Sequence, residues 1–373
     1  MFLALAEMRR AKARFGMLIV SIALLVFLIL FQQSLRNGLL NSFIGAITTQ
    51  SAPVLVYSVD GQRVIQGSVI TPDAEALVAS AEGVGEMGRL AQGTFSVTTS
   101  EGAFDASLIG YERPSLGAPE TLTEGRLPAG PDEAVASDVD AADGFDIGDV
   151  VTVQPGGLEI EVVGLAKDAQ LNAGPTLFVT YPTYLDAVVA QNPDAGEPPP
   201  NVIALAPADG VSDAELVANV NAQSDDLDAL TKDDAARETP GVSQIQSSFL
   251  IIFALYALVV PCITGLFFLI VTFQKAAALT LLRAVGAPAR RLVGALLIQA
   301  TAILGLGYLL GVLLYAPVSQ QRLGGIALSF ETTAVVVWAL ILGAGGLLSS
   351  LFAARRVLRI DPIRATTGAG VGA

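Results

Sequence analysis

The side chains in this sequence that could do chemistry are almost all carboxylates. The chain has 35 acidic residues and a single cysteine, Cys262, and it contains no histidine. Catalysis by a Ser–His–Asp or Cys–His set needs an imidazole base, so both are excluded. Zinc or iron held by imidazole and thiolate ligands is excluded by the same absence. The single cysteine cannot form a disulfide within the chain, so it does not indicate a redox compartment.

Three aspartates form the one group that resembles a metal site. Asp138, Asp140 and Asp143 precede Gly144 in the manner of a calcium-binding loop. In that loop a glycine takes the sixth position and a glutamate the twelfth, whereas here the glycine is seventh and the twelfth position is not a glutamate. Pairs of carboxylates could also serve a membrane-anchored glycosidase, but no spacing singles out one pair. We therefore expect no catalytic residue and no metal ligand, and such an enzyme stays open only as a weak alternative.

Phosphate chemistry is missing as well. The sequence contains no Gly-x-x-x-x-Gly-Lys-Ser/Thr pattern, with which P-loop ATPases bind nucleotide phosphates. The chain is therefore not expected to be an enzyme, and it is not expected to hydrolyse ATP itself.

A basic segment at residues 275–291 has a more specific pattern. Its basic residues are Lys275, Arg283, Arg290 and Arg291, and it contains no acid. Leu279, Leu282 and Val285 are spaced to share one side of a short amphipathic helix, which could dock in a groove of a partner. Basic residues also collect in any cytoplasmic loop, so Arg283 could instead be only a topological anchor.

Four apolar stretches position this basic segment. The chain is 52% hydrophobic, its mean hydropathy is +0.59, and about 20 apolar residues suffice to cross a bilayer core as a helix. The predicted spans are residues 16–36, 248–274, 292–316 and 332–354. No cleavage pattern follows the first stretch, which is longer than the apolar region of a signal peptide, so we expect an uncleaved span.

The distribution of charge predicts the orientation of the spans. Lysine and arginine accumulate in the amphipathic N-terminus at 1–15, in the 275–291 loop and in the tail at 355–373. Short basic flanks face the cytoplasm. Both termini and the 275–291 loop are therefore predicted to be cytoplasmic, with residues 38–247 and the short loop at 317–331 outside. The predicted location is a plasma or inner cell membrane, crossed several times.

Residues 37–247 form the predicted extracytoplasmic domain. Of the 35 acids 32 lie within 38–247, against seven of the 21 basic residues, so this segment carries a charge of about −25 and should not bind nucleic acid. Its pattern is mixed α and β, with hairpins predicted at 54–68 and 150–165 and a helix at 133–143. The fold class is thus membrane all-α, with four transmembrane helices, plus an α+β domain inserted between helices 1 and 2.

Helical spacing of apolar residues continues beyond the first two spans. It covers residues 35–47 after the first span and 242–249 before the second. We interpret these segments as a two-helix stalk, with an amphipathic helix lying flat on the membrane as the alternative.

Several short motifs, in this order, resemble a known family. Residues 282–287 are Leu-Arg-Ala-Val-Gly-Ala, which resembles the FtsX-like permease domain of ABC transporters, and the tail has Asp361-Pro362 after a basic stretch. Glu124-Gly125-Arg126 and the later Val162-Val163-Gly164 resemble the MacB-like core domain. The segment around Gln32-Gln33 is also reminiscent of the DevC-like branch, and the whole chain resembles permeases of the MacB, DevC and LolE type.

The resemblance implies a role and partners. In such permeases the loop between spans two and three docks on a separate ABC ATPase, which binds ATP and Mg²⁺, so the chain itself needs no cofactor. The implied coupling residues are Lys275, Leu279, Leu282, Arg283, Ala284, Gly286 and Ala287. Family members often carry a glutamate shortly before the arginine, where this chain has Ala277 and Ala278. The resemblance also implies a homodimer or heterodimer of permeases, with an extracytoplasmic adaptor or hydrolase as an open further partner.

Three residues within the spans are candidates for hinge or packing roles. Pro261 should kink the second helix, and Gly307 and Gly311 fit a small-x-x-x-small contact, either within the chain or between two chains. No span has a charge in its middle, which argues against a proton-driven carrier or an ion channel. The predicted function is therefore an ABC permease that exports or extracts a substrate through movement of its outer domain. The alternative is an FtsX-like regulator of an extracellular cell-wall hydrolase.

Overall fold

The computed structural model describes residues 12–274, 288–323 and 326–358. These residues form two compact units. The helical unit falls within Met1–Arg36, Ser247–Arg322 and Leu328–Ala373, and the α+β unit falls within Asn37–Gln246 and Leu323–Ala327. Each unit has its own buried core, so each is described separately.

Eight α-helices lie in the described part of the chain. They are α1 (Lys12–Thr49), α2 (Pro72–Ser80), α3 (Tyr181–Gln191), α4 (Asp213–Asn221), α5 (Lys232–Glu238), α6 (Val242–Gln274), α7 (Ala289–Tyr315) and α8 (Thr332–Leu358). Four of them, α1, α6, α7 and α8, are long and apolar enough to cross a membrane. They contain the four apolar stretches of the sequence, because an uninterrupted apolar run satisfies its backbone only as a helix.

The helical unit is held by apolar side chains from all four long helices. Ile29 of α1, Val260 of α6, Ile303 of α7 and Trp338 of α8 are buried in one cluster. Helices α1 and α6 both extend beyond the apolar stretches, to Thr49 and back to Val242, as the helical spacing predicts.

The α+β unit is built on one ten-stranded mixed sheet. Its strands are β1 (Val54–Ser58), β2 (Val84–Thr99), β3 (Gly102–Tyr111), β4 (Leu122–Gly125), β5 (Glu133–Ser137), β6 (Val150–Val153), β7 (Leu158–Ala166), β8 (Thr176–Thr180), β9 (Val202–Pro207) and β10 (Leu227–Thr231). The strand order is β10-β1-β9-β2-β3-β8-β5-β7-β4, and β6 pairs with both β2 and β7. Two further short strands, β11 (Arg322–Leu323) and β12 (Ile326–Ala327), pair with each other.

The double pairing of β6 closes six strands into a circuit. The path β2-β3-β8-β5-β7-β6 returns to β2, with parallel pairs at β3–β8 and β5–β7. Each of the six strands contributes buried side chains to a single apolar cluster, for example Phe95, Leu108 and Val162. A closed circuit leaves no free strand edge between these strands.

Two sequence predictions in this unit are wrong. Strand β1 pairs with β9 and β10 rather than with residues 63–68, where the chain turns at positive φ through Gln62 and Arg63. Residues 133–143 form strand β5 and a short 3₁₀ helix, because buried pairing with β7 and β8 overrides the helix propensity of alanine. The predicted hairpin at 150–165 is confirmed as β6 and β7.

Candidate functional site

The predicted coupling residues lie outside the part of the chain that the structure describes. They are Lys275, Leu279, Leu282, Arg283, Ala284, Gly286 and Ala287. Helix α6 ends at Gln274 before them, and α7 begins at Ala289 after them, preceded by Pro288 in extended conformation. Within the described residues, the candidate site is the set of close backbone contacts made by the long helices.

Pro261 of α6 packs against α8 where α8 has small side chains. A Cβ on Gly345 would lie 2.7 Å from Pro261 Cγ, and the Ser349 hydroxyl donates to the Pro261 carbonyl oxygen at 2.8 Å. Because proline lacks an amide hydrogen, α6 loses one backbone hydrogen bond at this position. A role of Pro261 as a hinge stays a prediction.

Gly307 and Gly311 of α7 face α1 of the same chain. A Cβ on Gly307 would lie 2.7 Å from Ile22 Cγ2, and a Cβ on Gly311 would lie 2.7 Å from both the Ala23 carbonyl oxygen and Val26 Cβ. Real side chains do not approach so closely, so only glycine allows these two backbones to meet here.

A serine of α1 fixes the segment that precedes α8. Ser34 is buried, and its hydroxyl donates to the Ser329 carbonyl oxygen at 3.1 Å and accepts from the Ser329 amide at 2.9 Å. The Tyr315 hydroxyl at the end of α7 donates to the same carbonyl oxygen at 2.8 Å. Three hydrogen bonds therefore meet at one residue between α7 and α8.

In the α+β unit, residues 167–174 form a strap across the last turns of α1. The Ala46 amide donates to the Gln170 carbonyl oxygen at 2.9 Å, and the Ala173 amide donates to the Ser42 carbonyl oxygen at 2.7 Å. Gly45 makes this possible, since a Cβ there would overlap the carbonyl oxygen of Asp168. The strap therefore bonds directly to the backbone of α1.

A second close approach lies two turns earlier on the same helix. A Cβ on Gly38 would lie 2.7 Å from Ile326 Cγ2 of β12 and would overlap the Ala327 carbonyl oxygen. Residues seven positions apart lie on one side of a helix. Gly38 and Gly45 thus form one small-residue face of α1, which contacts β12 and the strap.

The aspartates that resemble a calcium loop serve the strap instead. Asp140 is 2% exposed, and its carboxylate accepts from the Thr176 amide at 3.1 Å and from the Gln170 side chain. Asp138 accepts from the Asp168 amide at 2.9 Å. No group of metal-ligating side chains occurs in the described ranges. The two aspartates fix the backbone that bonds to α1, where Asn172 and Ala173 hold positive φ values of 52° and 57°.

The two motifs that resemble the MacB-like core pair with each other. Gly125 at the end of β4 lies opposite Gly164 of β7, and a Cβ on Gly125 would lie 2.6 Å from Gly164 Cα. Its φ of +79° also favours glycine. The glycines at these two positions therefore allow a close backbone crossing.

Arg126 continues this motif with an ion pair. Its guanidinium donates to both carboxylate oxygens of Glu133, at 2.6 and 2.7 Å. This hydrogen bond, together with those from the Ala129 and Gly130 amides, lowers the pKa of Glu133 to about 2. The pair joins the two ends of the loop between β4 and β5.

These contacts hold backbone segments close together within each unit. Ser34, Gly38, Gly45, Asp140 and Gln170 were not predicted from the sequence. A signal existed for the two glycines, because glycine is uncommon in a helix and this pair has the spacing of one face. Nothing in the sequence indicates which segments they contact.

Two known proteins are similar to this chain over almost its whole length. No protein-family model matches the chain. Two curated proteins described as uncharacterized ABC transporter permeases, from the CDC 1551 and H37Rv strains of Mycobacterium tuberculosis, are 25% identical over 376 residues. The alignment covers 99% of this chain and 99% of each relative. The resemblance to ABC transporter permeases is thereby confirmed, and the four membrane-capable helices make the chain a multi-pass membrane protein.

Two solved structures are similar to part of the chain. The periplasmic region of MacB from Actinobacillus actinomycetemcomitans is 17% identical, with a TM-score of 0.36, over 53% of this chain and 96% of that one. The extracellular domain of the noncanonic ABC-type transporter YknZ from Gram-positive bacteria is 14% identical, with a TM-score of 0.34, over 48% of this chain and 98% of that one.

Proposed function

We propose that this chain is the permease subunit of an ABC transporter, driven by a separate ATPase that binds ATP and Mg²⁺. The observation that carries the proposal is the whole-length likeness to two ABC transporter permeases. The absence of a P-loop pattern from the sequence fits a subunit of this kind.

The orientation in the proposal follows from the charges. The basic segments at 1–15, 275–291 and 355–373 face the cytoplasm, and the acidic residues 38–247 are extracytoplasmic. The loop at 275–291 is the coupling segment, which docks on the ATPase through Leu279, Leu282 and Arg283. A permease of this kind works as a homodimer or a heterodimer.

Movement reaches the outer domain along the backbone of α1 in this proposal. Helix α1 is continuous from Lys12 to Thr49, so it contributes residues to both units. Within the helical unit its neighbours are Gly307, Gly311 and Ser329, and within the α+β unit they are β12 and the strap. Because all of these contacts involve backbone at very close range, a shift of α1 cannot be absorbed by side-chain rearrangement alone.

The substrate in this proposal is moved on the outer side or taken from the membrane. No acid or base lies in the middle of the four apolar stretches, so a polar solute has no charged route through this subunit. Movement of the α+β unit would then export or extract an amphiphilic or extracytoplasmic substrate.

Co-purification with the native ATPase tests the proposal. The tagged full chain is extracted from its own membranes, and the eluate is assayed for ATP hydrolysis and for a protein that contains a P-loop sequence. We expect both with the wild-type chain. The variant Leu282→Asp/Arg283→Glu should lose both, because it removes the apolar and the basic contacts of the coupling segment.

Lys12→Glu is the matched control, since it reverses a cytoplasmic charge outside the coupling segment and should retain the ATPase. A wild-type chain that copurifies with no P-loop protein would contradict the proposal. Equal ATPase recovery with the coupling variant would assign the contact to another segment and contradict the coupling role of 275–291.

A further inference from the structure

The four long helices line an apolar cavity at the surface of the helical unit. Its volume is about 300 Å³, and side chains of α1, α6, α7 and α8 all line it, among them Val26, Val260 and Leu342. Ile22 and Val26, which meet Gly307 and Gly311 of α7, also line the cavity, so it lies beside the close contact between α1 and α7.

Two glycines create the cavity. Gly305 of α7 and Gly343 of α8 both line it, and no atom lies within 4 Å of the position where a Cβ would stand at either residue. Their neighbours differ in this respect: a Cβ on Gly346 would lie 2.7 Å from Leu304 Cδ1. On α7 and α8, glycines such as Gly346 therefore allow close helix contact, whereas Gly305 and Gly343 leave open space beside the helix.

The wall of the cavity offers nothing to a polar ligand. Its only hydroxyl groups are those of Thr301 and Tyr308. Thr301 donates to the Leu297 carbonyl oxygen at 2.9 Å, and Tyr308 donates to the Val335 carbonyl oxygen. A buried water needs two to four polar partners, whereas apolar cavities stay dry and take up apolar molecules.

We propose that this cavity binds one acyl chain of a membrane phospholipid, which enters from the side between α7 and α8. The lining residues Leu309 and Leu347 are 67% and 36% exposed, so the cavity is open to the surrounding hydrocarbon. A volume of about 300 Å³ is twice the roughly 150 Å³ of an engineered apolar cavity that binds benzene.

A side chain from a second copy is the other occupant that this space would admit, and the labelling experiment below distinguishes the two. The inference rests on the membrane placement in the proposed function, but not on the ATPase or on any transport.

Photochemical labelling of the full chain tests the inference. The protein is placed in nanodiscs of phosphatidylcholine that contain a fraction of phosphatidylcholine with a diazirine on one acyl chain. After illumination, adducts are mapped by peptide mass spectrometry. Adducts on the wall residues Tyr308 and Ala339 are expected, together with adducts on Leu313, which is 69% exposed and does not line the cavity.

Filling the cavity should remove one set of adducts only. In the double variant Gly305→Leu/Gly343→Leu the wall adducts should be lost while the adducts on Leu313 remain. Gly294→Leu is the matched control, because Gly294 also has open space around its Cβ position, lies on α7 and does not line the cavity. The single tryptophan of the chain, Trp338, packs against Phe253 with ring centroids 5.7 Å apart, so unchanged emission shows that the helices remain packed.

Two results would overturn the inference. The first is a wild-type chain with adducts on Leu313 and none on the wall, which would leave the cavity to a side chain of a second copy. The second is an unchanged set of wall adducts in the double variant with Trp338 emission intact. If the double variant does not fold, the wild-type map decides by the presence or absence of wall adducts. If Leu313 also carried no adducts, the membrane placement itself would be contradicted. That result would count against the proposed function and not only against lipid binding in the cavity.

Discussion

Ser34 of α1 binds both backbone groups of Ser329, by donating to its carbonyl oxygen at 3.1 Å and accepting from its amide at 2.9 Å. One hydroxyl thus satisfies the amide of a residue that precedes α8 and shares its carbonyl oxygen with Tyr315. Ser34 is 1% exposed, so water cannot replace these bonds. The contact fixes the segment before α8 to α1 at the end of the predicted first span.

Substitution Ser34→Ala should destabilise the helical unit. It leaves the Ser329 amide without this partner in a buried place, and hydrogen bonds between membrane helices contribute about 0.6 to 2 kcal/mol. Thermal unfolding of the full chain in detergent measures the effect. Ser21→Ala is the control, because Ser21 bonds only to the Met17 carbonyl oxygen of its own helix in an exposed place. Equal melting temperatures for both variants would contradict the role of Ser34.

Substitution Gly45→Ala should loosen the strap. The new Cβ would overlap the Asp168 carbonyl oxygen, and forcing extra atoms into a packed contact costs about 1 to 3 kcal/mol. We expect faster hydrogen exchange at the amides of 167–174, measured by mass spectrometry on the full chain. Gly16→Ala on the same helix meets no atom within 4 Å, so it should leave strap exchange unchanged. Unchanged exchange in Gly45→Ala would show that α1 and the strap are not in close contact.

The pair of Arg126 and Glu133 predicts a dependence on acid. Because the pKa of Glu133 falls from 4.5 in the unfolded chain to about 2, ionisation stabilises the fold fully above about pH 4.5 and progressively less down to about pH 2. The melting temperature of wild type should therefore exceed that of Glu133→Gln near neutral pH, and the difference should shrink across this window. Glu159→Gln, at an exposed position of β7, is the control. A difference that is constant across the window would contradict the lowered pKa.

The sequence predicts the long helices well, because an apolar run of sufficient length has one stable form in a membrane. It also predicts the start of short helices, as where Thr71 accepts from the Ala74 amide ahead of Pro72. The strand partners are not predictable in the same way. Val56 pairs with Ala229 and Ile203, which lie far along the chain, so local pattern does not identify them.

The candidate site is predictable only in part. Residues that are unusual within a helix, such as Pro261 and Gly311, are visible as exceptions to an apolar pattern. Asp140 is not, because its bond to the Thr176 amide depends on how β5, the strap and β8 are brought together by the sheet. In the sequence, Asp138, Asp140 and Asp143 therefore resemble part of a calcium-binding loop. In the fold, Asp138 and Asp140 instead accept hydrogen bonds from Asp168 and Gln170 of the strap.

The proposed orientation predicts how introduced cysteines are labelled. In a Cys262→Ser background, Asp194→Cys lies in an exposed loop of the α+β unit, and Ala278→Cys lies in the basic loop. A membrane-impermeant maleimide should modify the first in intact cells and the second only after permeabilisation. The reverse pattern would contradict the assignment of the basic loop to the cytoplasm.

In the proposed function, ATP binding by the partner ATPase shifts α1 and thereby changes its contact with the strap. Hydrogen exchange of the purified permease–ATPase complex, with and without trapping by ATP and vanadate, tests it most directly. We predict that trapping alters exchange at Ala46 and in residues 167–174, while the closed strands β6 and β7 keep their exchange rates. Identical exchange in 167–174 in both states, in a complex that hydrolyses ATP, would contradict it.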